Sequence, residues 1–233
     1  MVRGLYRYSP PGFVFASKMP RLITHKKRLR LHLGVEDDLE RFLELMRPLA
    51  EKLGPILIQL PPSFTINRDG RALEEFLEVL PPNPQFAVEF RHLSWMKPET
   101  WEMLRRHGAA YTIVDKPLLP PEVHVTADFS YIRWHGHGSP TWYNYDYGPE
   151  ELRSWVPKVK EVAEQTRRVY GYFNNHFRWQ VARGEQKWGY PGAAKNLVEF
   201  LEMLGIATDK QREVLKRIKQ WRERRTELDV LGK

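Results

Sequence analysis

Residues 85–95, QFAVEFRHLSW, combine an apolar run with an abrupt change to charged, imidazole and indole side chains. The apolar composition of residues 86–88 and 90 predicts a parallel strand that is buried on both faces. Glu89 interrupts this run, and Arg91 lies on the same side of the strand because side chains alternate. A buried carboxylate is costly unless it is paired, so we expect a Glu89–Arg91 ion pair. This pair would lie at the C-terminal end of the strand, where parallel α/β enzymes carry their catalytic groups.

Composition limits the classes of protein to which this chain can belong. Its 233 residues are 42% hydrophobic, which is enough for one sizeable core in a single α/β domain. The absence of cysteine excludes disulfides, thiolate nucleophiles and cysteine-bound metals. No apolar run is long enough to cross a bilayer, and residues 1–12 lack the apolar core of a signal peptide. We therefore expect a cytoplasmic protein without a membrane partner.

The net charge of +8 and the pI of about 9.6 favour anionic partners, including nucleic acid. Part of the positive charge lies in residues 210–225, around an apolar stripe formed by Val214, Leu215, Ile218 and Trp221. We predict a basic amphipathic helix over residues 208–233, following a barrel-like domain over residues 1–207. The helix is expected to dock on that domain or pair with a second copy; binding to nucleic-acid phosphates is the alternative.

Strand and helix patterns alternate along the chain. Apolar segments predict strands at residues 13–16, 56–60, 86–90, 111–114, 129–134 and 169–173. Amphipathic spacing predicts one helix with Asp37 as its N-cap and a second that includes residues 73–80. It also predicts helices at residues 98–107, 149–165 and 193–204. Pro48 should bend or end the first of these helices, before a second helical piece that stops at Gly54. Repeated units of this length predict a parallel sheet or barrel.

Polar side chains stand near the ends of most of the predicted strands. They are Lys18, Gln59, Glu89, Arg91, Asp115, Arg133, His135, Asn174, Asn175 and His176, with His25 in the polar turn after the first strand. The C-terminal ends of parallel strands meet on one side of a sheet or barrel. We therefore predict that these side chains share one pocket.

Five segments of the chain, in this order, resemble the domain of unknown function 72 (YecE-like) family. They are GFVFASKMPRLITHKKRL (12–29), LGPILIQLPPSF (53–64), FAVEFRHLSW (86–95), YIRWHG (131–136) and YFNNH (172–176). The resemblance extends over residues 11–204 and is carried by the combination of segments. It implies an α/β, TIM-barrel-like fold, here with six recognisable strand–helix units, and polar motifs at the strand ends. It implies no particular reaction.

The N-terminal part of the chain departs from that family. Its members begin with a glycine-rich strand and then a strand that carries Glu and Asn before aromatic residues, and neither is found here. The fold is therefore expected to be incomplete at the N-terminus, either because the coding start is truncated or because this is a natural short variant. An open barrel edge exposes backbone groups, so we expect self-association through that edge or through the C-terminal helix. A stable, monodisperse monomer would contradict the truncation.

Each candidate catalytic residue has a structural alternative. Glu89 is either half of a structural ion pair or a general base or metal ligand. Asp115 could form a carboxylate pair with Glu89, as glycoside hydrolysis requires, or cap the following turn. His135 and His176 could share a divalent metal with these carboxylates, although no short metal-binding motif is present. Hydrogen-bonded structural or substrate-positioning histidines are the favoured alternative.

The cations at the strand ends indicate binding of an anion. Lys18, Arg91 and Arg133 offer positive charge for a phosphate or carboxylate; His25, Asn174 and Asn175 could add hydrogen bonds. The alternative is that these cations only neutralise neighbouring carboxylates. Trp95 and Trp142 could stack on sugar or base rings, whereas Trp134 is expected to pack between the barrel and a helix.

Two functions from different classes follow from these residues. The first is an enzyme, a hydrolase acting on a phosphate-containing anionic substrate such as a phosphodiester, with Glu89 or His135 transferring protons. The second is a noncatalytic module that binds nucleic acid or another anion. A carbohydrate-active enzyme is a weaker alternative. No cofactor is indicated by a motif, and a divalent metal is compatible with the hydrolase.

Overall fold

The computed structural model describes residues 1–139, 141–175, 178–180, 186–188 and 192–231. Of residues 178–180, 186–188 and 221–231 it describes the backbone alone. Six parallel strands form one sheet in the order β1 to β6. Their bounds are Phe15–Lys18 (β1), Leu53–Gln59 (β2), Phe86–Glu89 (β3), Ala110–Asp115 (β4), Phe129–Trp134 (β5) and Arg168–Phe173 (β6). Two further strands, Arg178–Gln180 (β7) and Gln186–Trp188 (β8), pair antiparallel.

Helices connect most of the strands, as the alternating pattern predicts. The α-helices are Val2–Tyr8 (α1), Val35–Met46 (α2), Ile66–Glu78 (α3), Pro98–Arg106 (α4), Pro149–Gln165 (α5), Gly192–Leu204 (α6) and Asp209–Leu231 (α7). A π-helix at Leu22–Lys26 and 3₁₀ turns at Leu31–Leu33, Arg47–Lys52 and Leu93–Trp95 complete the described helical segments. None of the helices in the described part of the chain is both long and apolar enough to cross a membrane.

The register between β2 and β3 places polar side chains next to each other at the strand ends. Ile58 pairs with Val88, and Gln59 with Glu89. The apolar members are completely buried, as are the neighbouring Ile56 and Ala87. A strand covered on both faces needs this continuous apolar composition. The polar pair that follows is buried as well, because Glu89 is 0% and Gln59 9% exposed.

The chain divides into two compact units. Unit 1 comprises Met1–Ile113, His124–Tyr131 and Thr166–Arg168, and unit 2 comprises Val114–Val123, Ile132–Gln165 and Val169–Lys233. In unit 1, helix α3 buries Leu73, Phe76 and Leu77 on one face, as its amphipathic spacing predicts.

Unit 2 has an aromatic core centred on Trp134. Its indole stacks on Phe173 and meets Trp155 of α5 and Phe200 of α6 edge-on. The predicted packing of Trp134 between strand and helix is therefore confirmed.

Three predicted boundaries are wrong. The first strand begins at Phe15 and not at residue 13, because its pairing with β2 starts at Phe15; Phe13 is 46% exposed. Helix α2 begins at Val35 after Gly34, whose φ of 68° suits glycine, so Asp37 lies in the first turn, where the helix dipole favours a carboxylate. Gly54 does not end a helix but lies inside β2.

Helix α1 was not indicated by the sequence patterns. Nearly buried Lys52 holds it in place by donating hydrogen bonds to the carbonyl oxygens of Tyr6 and Ser9, at 2.9 and 2.8 Å, and to the Ser9 hydroxyl, at 2.9 Å. A cation at a helix C-terminus satisfies carbonyl groups that have no partner within the helix. The helix therefore depends on a contact with a residue more than 40 positions away.

Candidate functional site

A buried polar group lies at the ends of β2 and β3 in unit 1. The Gln59 Nε2 atom donates to both Glu89 carboxylate oxygens, at 3.1 and 3.0 Å. The Arg91 Nε atom lies 3.6 Å from Glu89 Oε1, which is the expected ion pair. Glu89 is completely buried, whereas 28% of the Arg91 side chain is exposed. The carboxylate is thus committed to internal contacts, and its arginine partner extends toward the surface.

His25 is the candidate functional residue after β1, and it lies in the π-helix Leu22–Lys26. π-Helical turns are rare and frequently occur at functional sites. Thr24 is buried, and its hydroxyl lies 2.8 Å from His25 Nδ1 and 3.2 Å from the Pro20 carbonyl oxygen. When the hydroxyl donates its one hydrogen to that carbonyl, Nδ1 of His25 carries a hydrogen and Nε2 carries the lone pair.

Four cations of unit 1 act on the charge of this histidine. Burial lowers the pKa of His25, and the cations of Arg21, Arg91, Lys18 and Arg28 lower the pKa further, in that order. We call these four residues and His25 the cationic cluster. The four cations disfavour protonation of the imidazole and favour an anion that binds beside it.

The Asp69 carboxylate anchors one side of the cationic cluster. It is completely buried on α3 and accepts from Arg28 Nε and Nη2 at 3.2 and 2.6 Å. Burial raises the Asp69 pKa, but the Arg28 hydrogen bonds and the Thr65 amide outweigh that effect, so the pKa is lowered overall. Arg28 has a positive φ of 52°, a conformation that a non-glycine residue holds only when its surroundings impose it. Asp69 therefore fixes the loop that carries His25.

Trp95 is a core residue and not a ring available for stacking on a ligand. Its side chain is completely buried, its indole stacks on Phe64 and Phe90, and its Nε1 atom donates to the Phe64 carbonyl oxygen at 2.9 Å. The prediction that it binds substrate is wrong because both faces of the indole are covered within unit 1.

A second polar group lies in unit 2, after β4 and β5. Asp115 is 7% exposed, and its Oδ1 atom is 2.8 Å from Nε2 of His137. The Tyr147 hydroxyl also hydrogen-bonds Asp115 and accepts from the Gly136 amide at 2.8 Å. Burial first, and then the Asp115 charge, raise the pKa of Tyr147 far above its usual value. The tyrosine is therefore a neutral donor to the carboxylate.

His135 lies beside this group but has different partners. Its Nδ1 atom is 3.2 Å from the side-chain Nδ2 atom of Asn174, and its backbone amide donates to the Asp115 carbonyl oxygen. The Asn175 side chain donates to the Tyr145 carbonyl oxygen and to Asn196 Oδ1, each at 2.8 Å. These contacts give Asn175 a positioning role on the loop that carries the tyrosines.

The predicted site residues thus fall into two described groups. Unit 1 contains Lys18, His25, Gln59, Glu89 and Arg91; unit 2 contains Asp115, Arg133, His135, Asn174 and Asn175. That both groups share one pocket remains a prediction, as does the Glu89–Asp115 carboxylate pair. His176 lies outside the described residues.

Sequence reasoning missed three of the main contributors. Arg28 and Asp69 are 41 residues apart, and no local pattern connects them. His137 could have been noticed, because the sequence after β5 reads HGHG and both histidines follow a strand end. Among the described residues, no three His, Asp or Glu side chains are grouped so that they could hold a metal ion.

A sequence model of the family described as "Protein of unknown function DUF72" matches residues 1–219. The chain belongs to the DUF72 family. Both the resemblance noted from the five segments and the TIM-barrel-like α/β fold that it implies are confirmed.

Two curated relatives of this DUF72 chain carry family names. UPF0759 protein YecE of Escherichia coli (strain K12) is 39% identical over 179 residues, which cover 66% of this chain and 62% of the relative. The match therefore spans less than two thirds of that relative. UPF0759 protein YunF of Bacillus subtilis (strain 168) is 24% identical over 224 residues, covering 85% and 75%.

Solved DUF72 structures have the same fold. The DUF72 protein TM1631 from Thermotoga maritima MSB8 has a TM-score of 0.74 and 32% identity, covering 87% of this chain and 77% of that one. The DUF72 protein EF0366 from Enterococcus faecalis V583 has a TM-score of 0.72 at 22% identity, covering 88% and 84%, and supports the fold alone. These matches support membership of an uncharacterised family and name no activity or substrate.

Proposed function

We propose that this DUF72 protein is a hydrolase that binds a small phosphate-containing anion, such as a phosphodiester, at the cationic cluster of unit 1. The observation that carries the proposal is the presence of Arg21, Arg91, Lys18 and Arg28 near a partly buried His25, whose pKa is lowered first by burial and further by these cations. Cations brought close to one imidazole disfavour its protonation and attract an anion to the same place.

Two of these cations have donors to offer a ligand. Lys18 is exposed at the end of β1, and no hydrogen bond or ion pair joins its ammonium group to another described residue. In the same part of the chain, Arg91 pairs with Glu89, and its nearest nitrogen to that carboxylate is Nε, at 3.6 Å. The two Nη groups of a guanidinium form the planar fork that recognises phosphate. Lys18 would add a point charge to that fork.

His25 is the residue in the cluster that fits proton transfer. Its lowered pKa keeps the ring neutral at pH 7, so one nitrogen carries a lone pair. A neutral imidazole beside a bound phosphodiester can accept a proton from the attacking water. Glu89 fits this role less well, because it is completely buried and Gln59 donates to both of its oxygens.

The test compares two lysines that differ in their relation to His25. Lys18→Met removes a cation that acts on His25, and Lys26→Met removes an exposed lysine next to His25 that is not among those cations. We expect Lys18→Met to weaken binding of inorganic phosphate by about tenfold, as for the loss of one charged contact, and Lys26→Met to leave it unchanged. Isothermal titration calorimetry measures both. Equal effects of the two variants would overturn the proposed site.

Hydrolysis is tested separately with bis(p-nitrophenyl) phosphate. If His25 transfers the proton in hydrolysis, we expect His25→Gln to lose turnover of this substrate and still bind phosphate. The burial of Glu89 favours a second candidate, a noncatalytic anion-binding module in which this carboxylate has only a structural role. That candidate is supported if phosphate binds but no variant or condition yields turnover, and an oligonucleotide titration then tests whether the anion belongs to nucleic acid.

A further inference from the structure

The Asp115 group in unit 2 contains a carboxylate–imidazole pair that the cationic cluster does not use. Asp115 Oδ1 and His137 Nε2 are 2.8 Å apart. The Asp115 side chain is 10% exposed and that of His137 is 38% exposed. The carboxylate of the pair is therefore sheltered from water, and the imidazole is in contact with it.

This contact determines which nitrogen of His137 is basic. An ionised carboxylate can only accept hydrogen bonds, so Nε2 must carry a hydrogen. In the neutral ring the lone pair is then on Nδ1, and the structure shows no hydrogen bond from any described residue to that atom. The carboxylate thereby fixes the tautomer and the orientation of the ring.

The surroundings hold the imidazole in one orientation. The rings of Tyr145 and Tyr147 meet it edge-on, with centroids 5.6 and 6.4 Å away. The backbone of the tyrosine-bearing loop is fixed in turn, because Asn196 donates to the Tyr147 carbonyl oxygen at 3.0 Å and accepts from Asn175 at 2.8 Å. Such rigid support distinguishes a prepared group from a surface histidine.

Glycine on each side of His137 allows this arrangement. A Cβ atom on Gly138 would lie 2.1 Å from the Asn144 carbonyl oxygen, and one on Gly136 would lie 2.6 Å from the Trp142 carbonyl oxygen. The loop therefore closes directly onto the backbone beside His137, which only glycine permits.

We propose that His137 is a general base that takes a proton from water or a substrate hydroxyl, with Asp115 and Tyr147 as positioning residues. In this step the O–H bond breaks, an N–H bond forms at Nδ1, and the electron pair stays on the oxygen, which becomes the nucleophile. Asp115 stays ionised and stabilises the imidazolium, and the Tyr147 hydroxyl keeps its hydrogen bond to the carboxylate. The inference is independent of the anion site in unit 1.

The first test measures the reactivity of Nδ1 with diethyl pyrocarbonate, followed by peptide mapping of the full chain. The internal reference is His32, which is exposed and has no hydrogen bond to another described residue. We expect His137 to react about threefold or more faster than His32 and to lose this advantage in Asp115→Asn. Equal rates for the two histidines in the unaltered protein would overturn the proposal without any variant.

The second test is hydrolysis of p-nitrophenyl acetate, to which an accessible basic imidazole contributes. His137→Gln keeps an amide donor for Asp115 and so preserves the fold contact. We expect this variant and Asp115→Asn to lose most of the activity, while His32→Gln retains it. Unchanged hydrolysis by His137→Gln would show that the imidazole has only a structural role.

Discussion

Replacement of Asp69 by Asn tests how the cationic cluster is held in place. Asp69 is completely buried, and beyond the bidentate contact with Arg28 it lies within 3.6 Å of Arg30 and accepts from the Thr65 amide at 3.0 Å. Removing the charge leaves Arg28 in its φ-positive conformation without the anion that stabilises it. The perturbation should therefore destabilise the protein and loosen the loop that carries His25.

The expected loss follows from the number and burial of these contacts. Breaking a buried ion pair from one side costs about 3–5 kcal/mol of the free energy of unfolding, and the amide of Asn retains part of the hydrogen bonding. We expect Asp69→Asn to lose about 3 kcal/mol at pH 7. Because the folded-state pKa of Asp69 is lowered, its contribution is complete above the unfolded pKa of about 4 and disappears as pH falls through the lower folded value.

Urea denaturation at pH 7 and in steps below pH 4 provides the assay. The matched control is Glu75→Gln on the same helix, whose carboxylate pairs with Arg71 at 2.6 Å where 91% of the arginine side chain is exposed. An exposed pair of this kind contributes about 0.5 kcal/mol or less. A loss for Asp69→Asn that is no greater than the loss for Glu75→Gln would refute the reasoning. So would a penalty that does not shrink in acid.

Three further predictions follow from single contacts. The folded-state pKa of His25 is below its usual 6.5, so the free energy of unfolding should fall as pH drops below about 6.5, the pKa in the unfolded chain. In urea titrations, the difference in that free energy between pH 8 and pH 5.5 should be smaller for His25→Asn than for the unaltered protein. Gly138→Ala should destabilise by about 1–3 kcal/mol because its Cβ meets the Asn144 carbonyl oxygen, whereas Gly70→Ala, inside α3 with no atom closer than 3.7 Å, should stabilise by about 0.5–1 kcal/mol in thermal unfolding. Trp95→Phe should lose about 1–3 kcal/mol through the unsatisfied carbonyl of residue 64 yet leave phosphate affinity unchanged; weaker binding would return Trp95 to the ligand site.

Much of the fold could be predicted because its signals are local. Strands β2 to β5 and helices α3 to α5 correspond closely to the apolar and amphipathic segments of the sequence. Two of the errors occur where a long-range contact decides the structure. Helix α1 depends on Lys52, and the start of β1 depends on where β2 pairs with it. No periodicity in the chain encodes such contacts.

The candidate site could be predicted only in part. Alternation along a strand is enough to place Arg91 beside Glu89, and the structure contains that pair. Alternation cannot tell that Gln59 would donate to both Glu89 oxygens, nor that the Asp115 carboxylate would pair with the ring of His137 and not with the ring of His135. These outcomes depend on how loops fold back over the strand ends, and loop conformation is set by tertiary contacts.

By itself the sequence determined the strand–helix alternation, the family and the residue types available at the strand ends, because hydrophobic periodicity and motif order are properties of the chain. Which polar groups meet is set by contacts between distant parts of the chain. The Arg28–Asp69 anchor and the Asp115–His137 pair join residues 41 and 22 positions apart, respectively. A buried charge is tolerated only where folding brings it a partner, and the linear order of the residues does not specify that partner.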